Sequence, residues 1–238
     1  MPSALHTDIA RRSVMKLTTQ LLFAGSLLAA VTTAHAGVIV GATRVIYHGE
    51  NREETLSVKN PEKETVYMIQ SWVEKTAAQE KAPFIVTPQL FPLASGKETT
   101  LRITKVSNTL PQDRESVYWL DVKSTPGAIK PEENELQVSI KSRLKLIYRP
   151  AGLEGSAGEA YKSLTFSRQG DKLNVTNPTP YFISFYSLKV GAAEIGDAGM
   201  IAPKSQLNLP LPKSSSNTVS WQSITDFGDI SKPAETHF

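Results

Sequence analysis

The chain of 238 residues is 40% hydrophobic and 21% charged, too apolar for a disordered polymer, and its 15 prolines and 14 glycines favour a turn-rich fold over a helical bundle. It contains no cysteine, which excludes disulfide frameworks, thiolate metal sites and cysteine nucleophiles. A formal charge of +3 supplies little attraction to a phosphate backbone, so no nucleic-acid partner is expected.

At the N-terminus, Arg11, Arg12 and Lys16 precede an apolar run from Leu21 to Val31, and Ala34-His35-Ala36 then places small residues where a signal peptidase inspects them. A basic region, a short apolar stretch and an A-x-A site read as a secretory signal peptide over residues 1–36. The apolar run is too short for a membrane-spanning helix, which needs about 20 residues. The Arg11-Arg12 pair raises twin-arginine export, whereas a start at Met15 makes Met15-Lys16 an ordinary beginning, and ordinary secretion is the favoured route. Cleavage removes three cations and Asp8, leaving a mature chain from Gly37 whose formal charge is lower by two. No later stretch reaches spanning length, so a soluble, extracytoplasmic product without stable membrane insertion is expected.

Alternating stretches rich in β-branched and aromatic residues then follow in order: Val38–Tyr47, Thr55–Val58, Val66–Val73, Thr99–Val106, Val117–Lys123 and Leu136–Tyr148. Breakers such as Asn60-Pro61, Ala82-Pro83, Ser95-Gly96, Leu110-Pro111 and Pro126-Gly127 separate them. Beyond Pro150 the glycine-rich segment Ala151–Glu159 reads as a linker, after which strands are predicted at Ser163–Phe166, Lys172–Val175, Tyr181–Val190, Gln206–Leu209 and Thr218–Ile224. Short strands at this spacing, without helical periodicity, predict an all-β protein of two antiparallel sandwiches, residues 37–150 and 151–238.

Chemistry-bearing motifs are scarce. His6 and His35 leave with the signal peptide, so a Ser-His-acid triad would have to use His48 or His237, neither in a recognisable setting. No G-x-S-x-G elbow, G-x-G-x-x-G or P-loop is present, and Gly155-Ser156-Ala157-Gly158 has the wrong spacing for an elbow. Glu53-Glu54 and Glu132-Glu133 read as solvated charge in polar loops, and the His and Cys clusters that zinc wants are missing. Neither catalytic residues, nor a metal, nor a cofactor is expected. Trp72, Trp119 and Trp221 read as core, Asn174-Val175-Thr176 as an unmodified strand end, and Lys141 and Arg143 as a solvated face.

The stretch from Leu136 to Pro150 is the most informative. One parity carries Leu136, Val138, Ile140, Ser142, Leu144, Leu146 and Tyr148; the other carries Gln137, Ser139, Lys141, Arg143, Lys145, Ile147 and Arg149. Successive strand side chains point to opposite faces, so one face is largely apolar and the other largely basic. Two readings stay open on periodicity: a half-buried strand whose apolar face belongs to its own core, or an edge strand that offers its apolar row to another protein.

Four segments resemble the periplasmic pilus chaperones of the PapD-like family, in family order and across the whole mature chain. They are Gly41-Ala42-Thr43-Arg44-Val45-Ile46-Tyr47, Leu110-Pro111-Gln112-Asp113-Arg114-Glu115-Ser116, Arg143-Leu144-Lys145-Leu146-Ile147-Tyr148-Arg149-Pro150 and Asn177-Pro178-Thr179-Pro180-Tyr181. The likeness is closest to chaperones of type 1 fimbriae. The resemblance implies a boomerang of two immunoglobulin-like domains around a cleft, which captures fimbrial subunits lacking their last strand and passes them to an outer-membrane usher. By motif position it implies that Arg44 and Lys145 bind the subunit's C-terminal carboxylate and that Leu136, Val138 and Ile140 fill the subunit's groove. It implies a structural interdomain network for Glu115, Arg149 and Asp226. The short segment Ser124–Glu135 resembles the short-loop class that serves rod-like pili. Two rival readings remain: a secreted structural or adhesive Ig-like module without chaperone activity, and a secreted hydrolase dependent on His48.

Overall fold

Alternation of apolar and polar residues, punctuated by proline and glycine, folds just over half of the described chain into strands. The computed structural model describes residues 37–75, 82–107, 109–127, 137–213 and 216–237. The first nine strands are β1 (Ile39–Val40), β2 (Arg44–His48), β3 (Glu53–Lys59), β4 (Tyr67–Glu74), β5 (Phe84–Thr87), β6 (Leu90–Leu93), β7 (Glu98–Lys105), β8 (Ser116–Pro126) and β9 (Ile140–Arg149). They form a sheet of order β1-β3-β7-β5 and a sheet of order β2-β9-β8-β4-β6. Tyr47, Val58, Ile69, Leu101, Ile103, Leu120, Leu146 and Tyr148 are almost wholly buried in the core they share.

Past Pro150 the segment read as a linker runs into a short helix, α1 (Ala157–Ala160), which a 3-10 turn over Tyr161–Ser163 follows. Eight strands follow: β10 (Thr165–Gln169), β11 (Lys172–Asn177), β12 (Ile183–Val190), β13 (Ala193–Glu194), β14 (Met200–Ile201), β15 (Ser205–Pro210), β16 (Thr218–Ser223) and β17 (Ala234–His237). One sheet is β10-β11-β15; the other is β13-β12-β16-β17, with β14 also paired to β12. Their core holds Leu173, Val175, Leu188, Ile201, Val219 and Trp221, and the indole N–H of Trp221 donates to the Tyr161 carbonyl at 2.9 Å. The chain is therefore an all-β protein of two Ig-like sandwiches.

The predicted strand Val38–Tyr47 is two strands in two sheets: β1 pairs with β3, and β2 crosses to pair with β9. Gly41 makes the break possible. Its N–H donates to the Ser57 carbonyl at 2.9 Å, and a Cβ there would lie 2.2 Å from Ser57 Oγ, so only glycine passes so close. Among the described residues every other strand pair is antiparallel, whereas β2 and β9 run parallel.

Two local expectations change, and a third is not tested. Glu53 and Glu54 lie in β3 rather than in a loop, and Glu54 accepts from His48 Nδ1 at 2.9 Å and from Asn51 Nδ2 at 2.8 Å, closing the turn between β2 and β3. Glu132 and Glu133 lie outside the described residues. Asn174 is buried in the middle of β11, where its amide donates to Asn208 Oδ1 at 2.9 Å.

Candidate functional site

The parallel register sets Arg44 directly beside Lys145. Val45 and Tyr47 of β2, with Leu144, Leu146 and Tyr148 of β9, take the inner face and are buried, so both cations are left on the outer face. Lys145 is in turn opposite Trp119 of β8, and the row Arg44–Lys145–Trp119 crosses three strands.

Groups of the second sandwich face this row. Arg44 Nη1 donates to the Ile224 carbonyl at 3.3 Å, and Lys145 Nζ donates to Ser184 Oγ at 3.4 Å. Arg44 Nε is buried and has no hydrogen-bond partner among the described residues. Lys145, Trp119, Ser184 and Ile224 line a cleft of about 560 Å³ between the sandwiches. Burial pushes the Arg44 guanidinium down from its ordinary value, opposed by Asp226, and burial with the adjacent Arg44 charge pushes the Lys145 ammonium down. Two half-buried cations side by side repel, and an anion placed between them relieves both the repulsion and the lost hydration.

The same strand supplies an open edge. From Ile140 to Leu144, β9 pairs only with β8 among the described residues, because β2 covers its other side only from Lys145 onward. Residues 137–139 continue the line, tied to the end of β8 by Gln137 Nε2 donating to the Pro126 carbonyl at 2.6 Å and by Thr125 and Ser139 hydroxyls 2.9 Å apart. Val138 is 58% exposed and Ile140 41%, although they share the parity of the buried Leu144, Leu146 and Tyr148. The two halves of the strand therefore differ: its C-terminal half fills the parent core, and its N-terminal half leaves Val138 and Ile140 exposed along an open edge. Leu136 lies outside the described residues, as does most of the segment Ser124–Glu135.

Arg149 brings the third predicted group together. Its Nε donates to Glu115 Oε1 at 2.6 Å, and its two terminal nitrogens form a fork on Asp226 at 2.7 and 2.9 Å. Glu115 also accepts from the Phe182 amide at 2.7 Å, while its own amide donates to the Pro180 carbonyl at 2.9 Å. Burial works against the Arg149 charge, but Asp226 and Glu115 outweigh it and hold the guanidinium more firmly protonated than usual. Burial pushes the Glu115 carboxyl up, against the pull of Arg149 and the Phe182 amide. Next to Asp226, Gly228 has φ +90, and a Cβ there would lie 2.5 Å from Thr43 Oγ1. Glycine lets this loop of the second sandwich close on the residue preceding Arg44.

Lys141 and Arg143 are exposed to solvent as expected, but they are also ion-paired. Asp121, whose side chain is fully buried, receives a fork from Arg143 at 2.8 and 2.7 Å and has Lys141 Nζ at 3.6 Å; Glu74 also pairs with Arg143. Trp72 and Trp119 are only partly buried, standing on this outer face under Lys141 and Arg143 at 5.5 and 5.7 Å, whereas Trp221 is core. Sequence periodicity missed Ser184, Tyr186 and the cleft role of Trp119, because the second sandwich brings its residues to the site through contacts distant in the chain. Among the described residues no helix is long and apolar enough to cross a membrane.

Residues 37–154 match the family model for the N-terminal domain of the PapD pili and flagellar-assembly chaperones, and residues 159–235 match that for the PapD C-terminal domain. A probable fimbrial chaperone LpfB of Escherichia coli O157:H7 is 42% identical over 211 residues, 87% of this chain and 91% of that protein. The chaperone protein FimC of Escherichia coli K12 is 40% identical over 200 residues, 83% of each chain. Among solved structures, the Salmonella enterica SafA pilin in complex with the SafB chaperone gives a TM-score of 0.77 at 35% identity, covering 87% of this chain and 99% of that one. With both domain models matched in order across the two sandwiches, the chain belongs to the PapD family of pilus-assembly chaperones.

Proposed function

We propose that this chain is a periplasmic chaperone, exported by residues 1–36, that binds fimbrial subunits by lending them the open edge of β9 and delivers them to an outer-membrane usher without catalysis. The observation that carries this reading is the placement of Arg44 and Lys145 at the end of that edge. A subunit whose C-terminal carboxylate meets the two cations, and whose preceding residues lie along Val138 and Ile140, must run parallel to β9. Lys145 lies five positions beyond Ile140, roughly 16 Å of extended chain. The subunit residue beside Ile140 therefore lies about five positions from its terminus.

Only one residue of a subunit carries the carboxylate, so the cations fix register, with charge-assisted bonds worth on the order of 1.5–3 kcal/mol each. Burial of aliphatic side chains such as Val138 and Ile140 adds roughly 1.5–3 kcal/mol apiece before ordering costs. Main-chain pairing along the edge adds attraction that any subunit sequence accepts. The likeness to the SafB chaperone, solved with a pilin bound, supports the same use of this edge.

A pull-down from periplasmic extract tests the reading. The wild-type chaperone retains pilins, identified by mass, and Arg44→Ala or Lys145→Ala loses them while remaining folded by circular dichroism. A purely structural or adhesive Ig-like module would retain none, and undiminished capture by both variants would overturn the cleft assignment.

A further inference from the structure

The open half of β9 has little to hold it in place. Its inward-parity residues Val138 and Ile140 are exposed, and from Ile140 to Leu144 the strand pairs only with β8 among the described residues. Register is weakly specified where neither face of a strand is buried, because no core rejects a slip by one residue. A local bulge here would turn Ile140 off the line that leads to Lys145.

The outer face supplies what the inner face lacks. The outward residues of the open half are Lys141 and Arg143, and both close on one carboxylate. Asp121 stands opposite Arg143 across the β8–β9 pairing and opposite Trp72 across the β4–β8 pairing. Its side chain is fully buried although it shares the outward parity of Trp119. Glu74 on β4 takes a further bond from Arg143 and accepts from the Trp72 indole N–H at 2.8 Å. The network thus runs from β4 through β8 to the open half of β9.

A fork of two parallel bonds from a planar guanidinium accepts only one strand offset. Shifted by one residue, Asp121 would stand opposite Ser142 or Leu144, and neither can donate a fork. The bonds to Asp121 also hold the Arg143 guanidinium more firmly protonated than usual. Apolar residues in place of a buried ion pair often leave stability unchanged or higher, so stability alone does not account for a carboxylate buried at this place.

We propose that Asp121 is a positioning residue for subunit capture: from β8 it grips Arg143 and Lys141, and so keeps the open half of β9 extended and in register before a subunit arrives. This rests on the reading of that half as the edge lent to the subunit. A strand ordered in advance need not be ordered on contact, which strengthens binding without a new contact to the subunit. Asp121 itself touches no subunit, because β9 lies between β8 and the open edge.

Two variants separate this role from plain stability. Asp121→Asn keeps the shape and removes the charge, and the pair Asp121→Leu with Arg143→Met replaces the ion pair by apolar contact. Hydrogen exchange read by mass spectrometry follows residues 140–144 and 145–149 of the free chaperone. Calorimetry follows binding of a synthetic peptide of the C-terminus of the pilin that copurifies with it. In both variants exchange over 140–144 is expected to quicken about tenfold, while 145–149, flanked by β2 and β8, keep the wild-type rate. Peptide affinity is expected to fall about tenfold in both, and in the double variant to do so at the wild-type melting temperature. Wild-type exchange over 140–144 in both variants would overturn the inference and leave the lent edge standing, as would faster exchange with unchanged affinity. Quickening spread equally over the two segments would mark a merely stabilising residue and overturn it too. A wild-type chaperone that binds no pilin peptide would overturn the lent edge and the inference with it.

Discussion

Replacing Arg149 by methionine keeps much of the apolar stem but deletes the guanidinium that joins Glu115 to Asp226. The Glu115 side chain is 1% exposed and would keep only the Phe182 amide as a donor, whereas Asp226 is 34% exposed and recovers water. Breaking a buried pair by removing one partner costs about 3–5 kcal/mol, and the exposure of Asp226 puts this case near the lower end, about 3 kcal/mol. The cost depends on pH. Burial already raises the Glu115 carboxyl above its ordinary value, so the folded state holds that proton more readily than the unfolded chain, and this contribution to stability is present at low pH and lost as pH rises. Without Arg149 the carboxyl rises further, so the penalty of the variant is small near about pH 5 and full near about pH 8. Denaturant titration can follow tryptophan fluorescence at both pH values, since Trp72 and Trp119 report the first sandwich and Trp221 the second. Combining Arg149→Met with Glu115→Gln should recover about 1–3 kcal/mol of coupling. A loss under about 0.5 kcal/mol, or one independent of pH and of Glu115→Gln, would refute the reasoning.

Lys145→Met should weaken binding of a pilin C-terminal peptide about tenfold to a hundredfold, one charged hydrogen bond. The same change should not lower the melting temperature of the free protein, because burial and Arg44 both oppose the lysine charge; calorimetry of the free and peptide-bound protein reads both effects. Since the Lys145 ammonium is held below its ordinary value, wild-type peptide affinity should fall as pH is raised toward about 10, and this step should vanish in Lys145→Met. Free-protein stability follows the opposite sign: the penalty on the charged lysine is present below its depressed value and fades as pH climbs toward 10.5. Ile140→Asp should abolish pilin capture in a pull-down and leave the melting curve unchanged, since the side chain is 41% exposed in the free protein but a carboxylate cannot enter an apolar groove.

Strand parity made much of this molecule legible. The Leu136–Pro150 alternation foretold the face on which Leu144, Leu146 and Tyr148 are buried and the face on which Arg143, Lys145 and Arg149 are charged. What parity lacks is the neighbour across the sheet. Asp121 lies opposite Arg143 through the β8–β9 register, so a stretch that reads as a wet basic face is tied to a buried carboxylate. The division of Val38–Tyr47 was hidden for the same reason, because it depends on Ser57 crowding Gly41. The edge strands β5, β6, β13, β14 and β17 run only two to four residues, too few to show a period of two. Tyr186 was invisible for a more particular reason: a bulge adds one residue to a strand, and alternation counted through it assigns the wrong face.

The paired cations belong to the second and the last strands of the first sandwich, roughly 100 residues apart in the chain. Neither half of the pair means anything until the two termini of that domain have met, a contact that waits on the largest loop closure in its folding. If the pair holds the subunit as proposed, a chaperone still emerging or half-assembled has no hook to offer, and an immature helper cannot tangle with an equally immature client. Competence to hold another protein's unfinished fold arrives only with completion of its own.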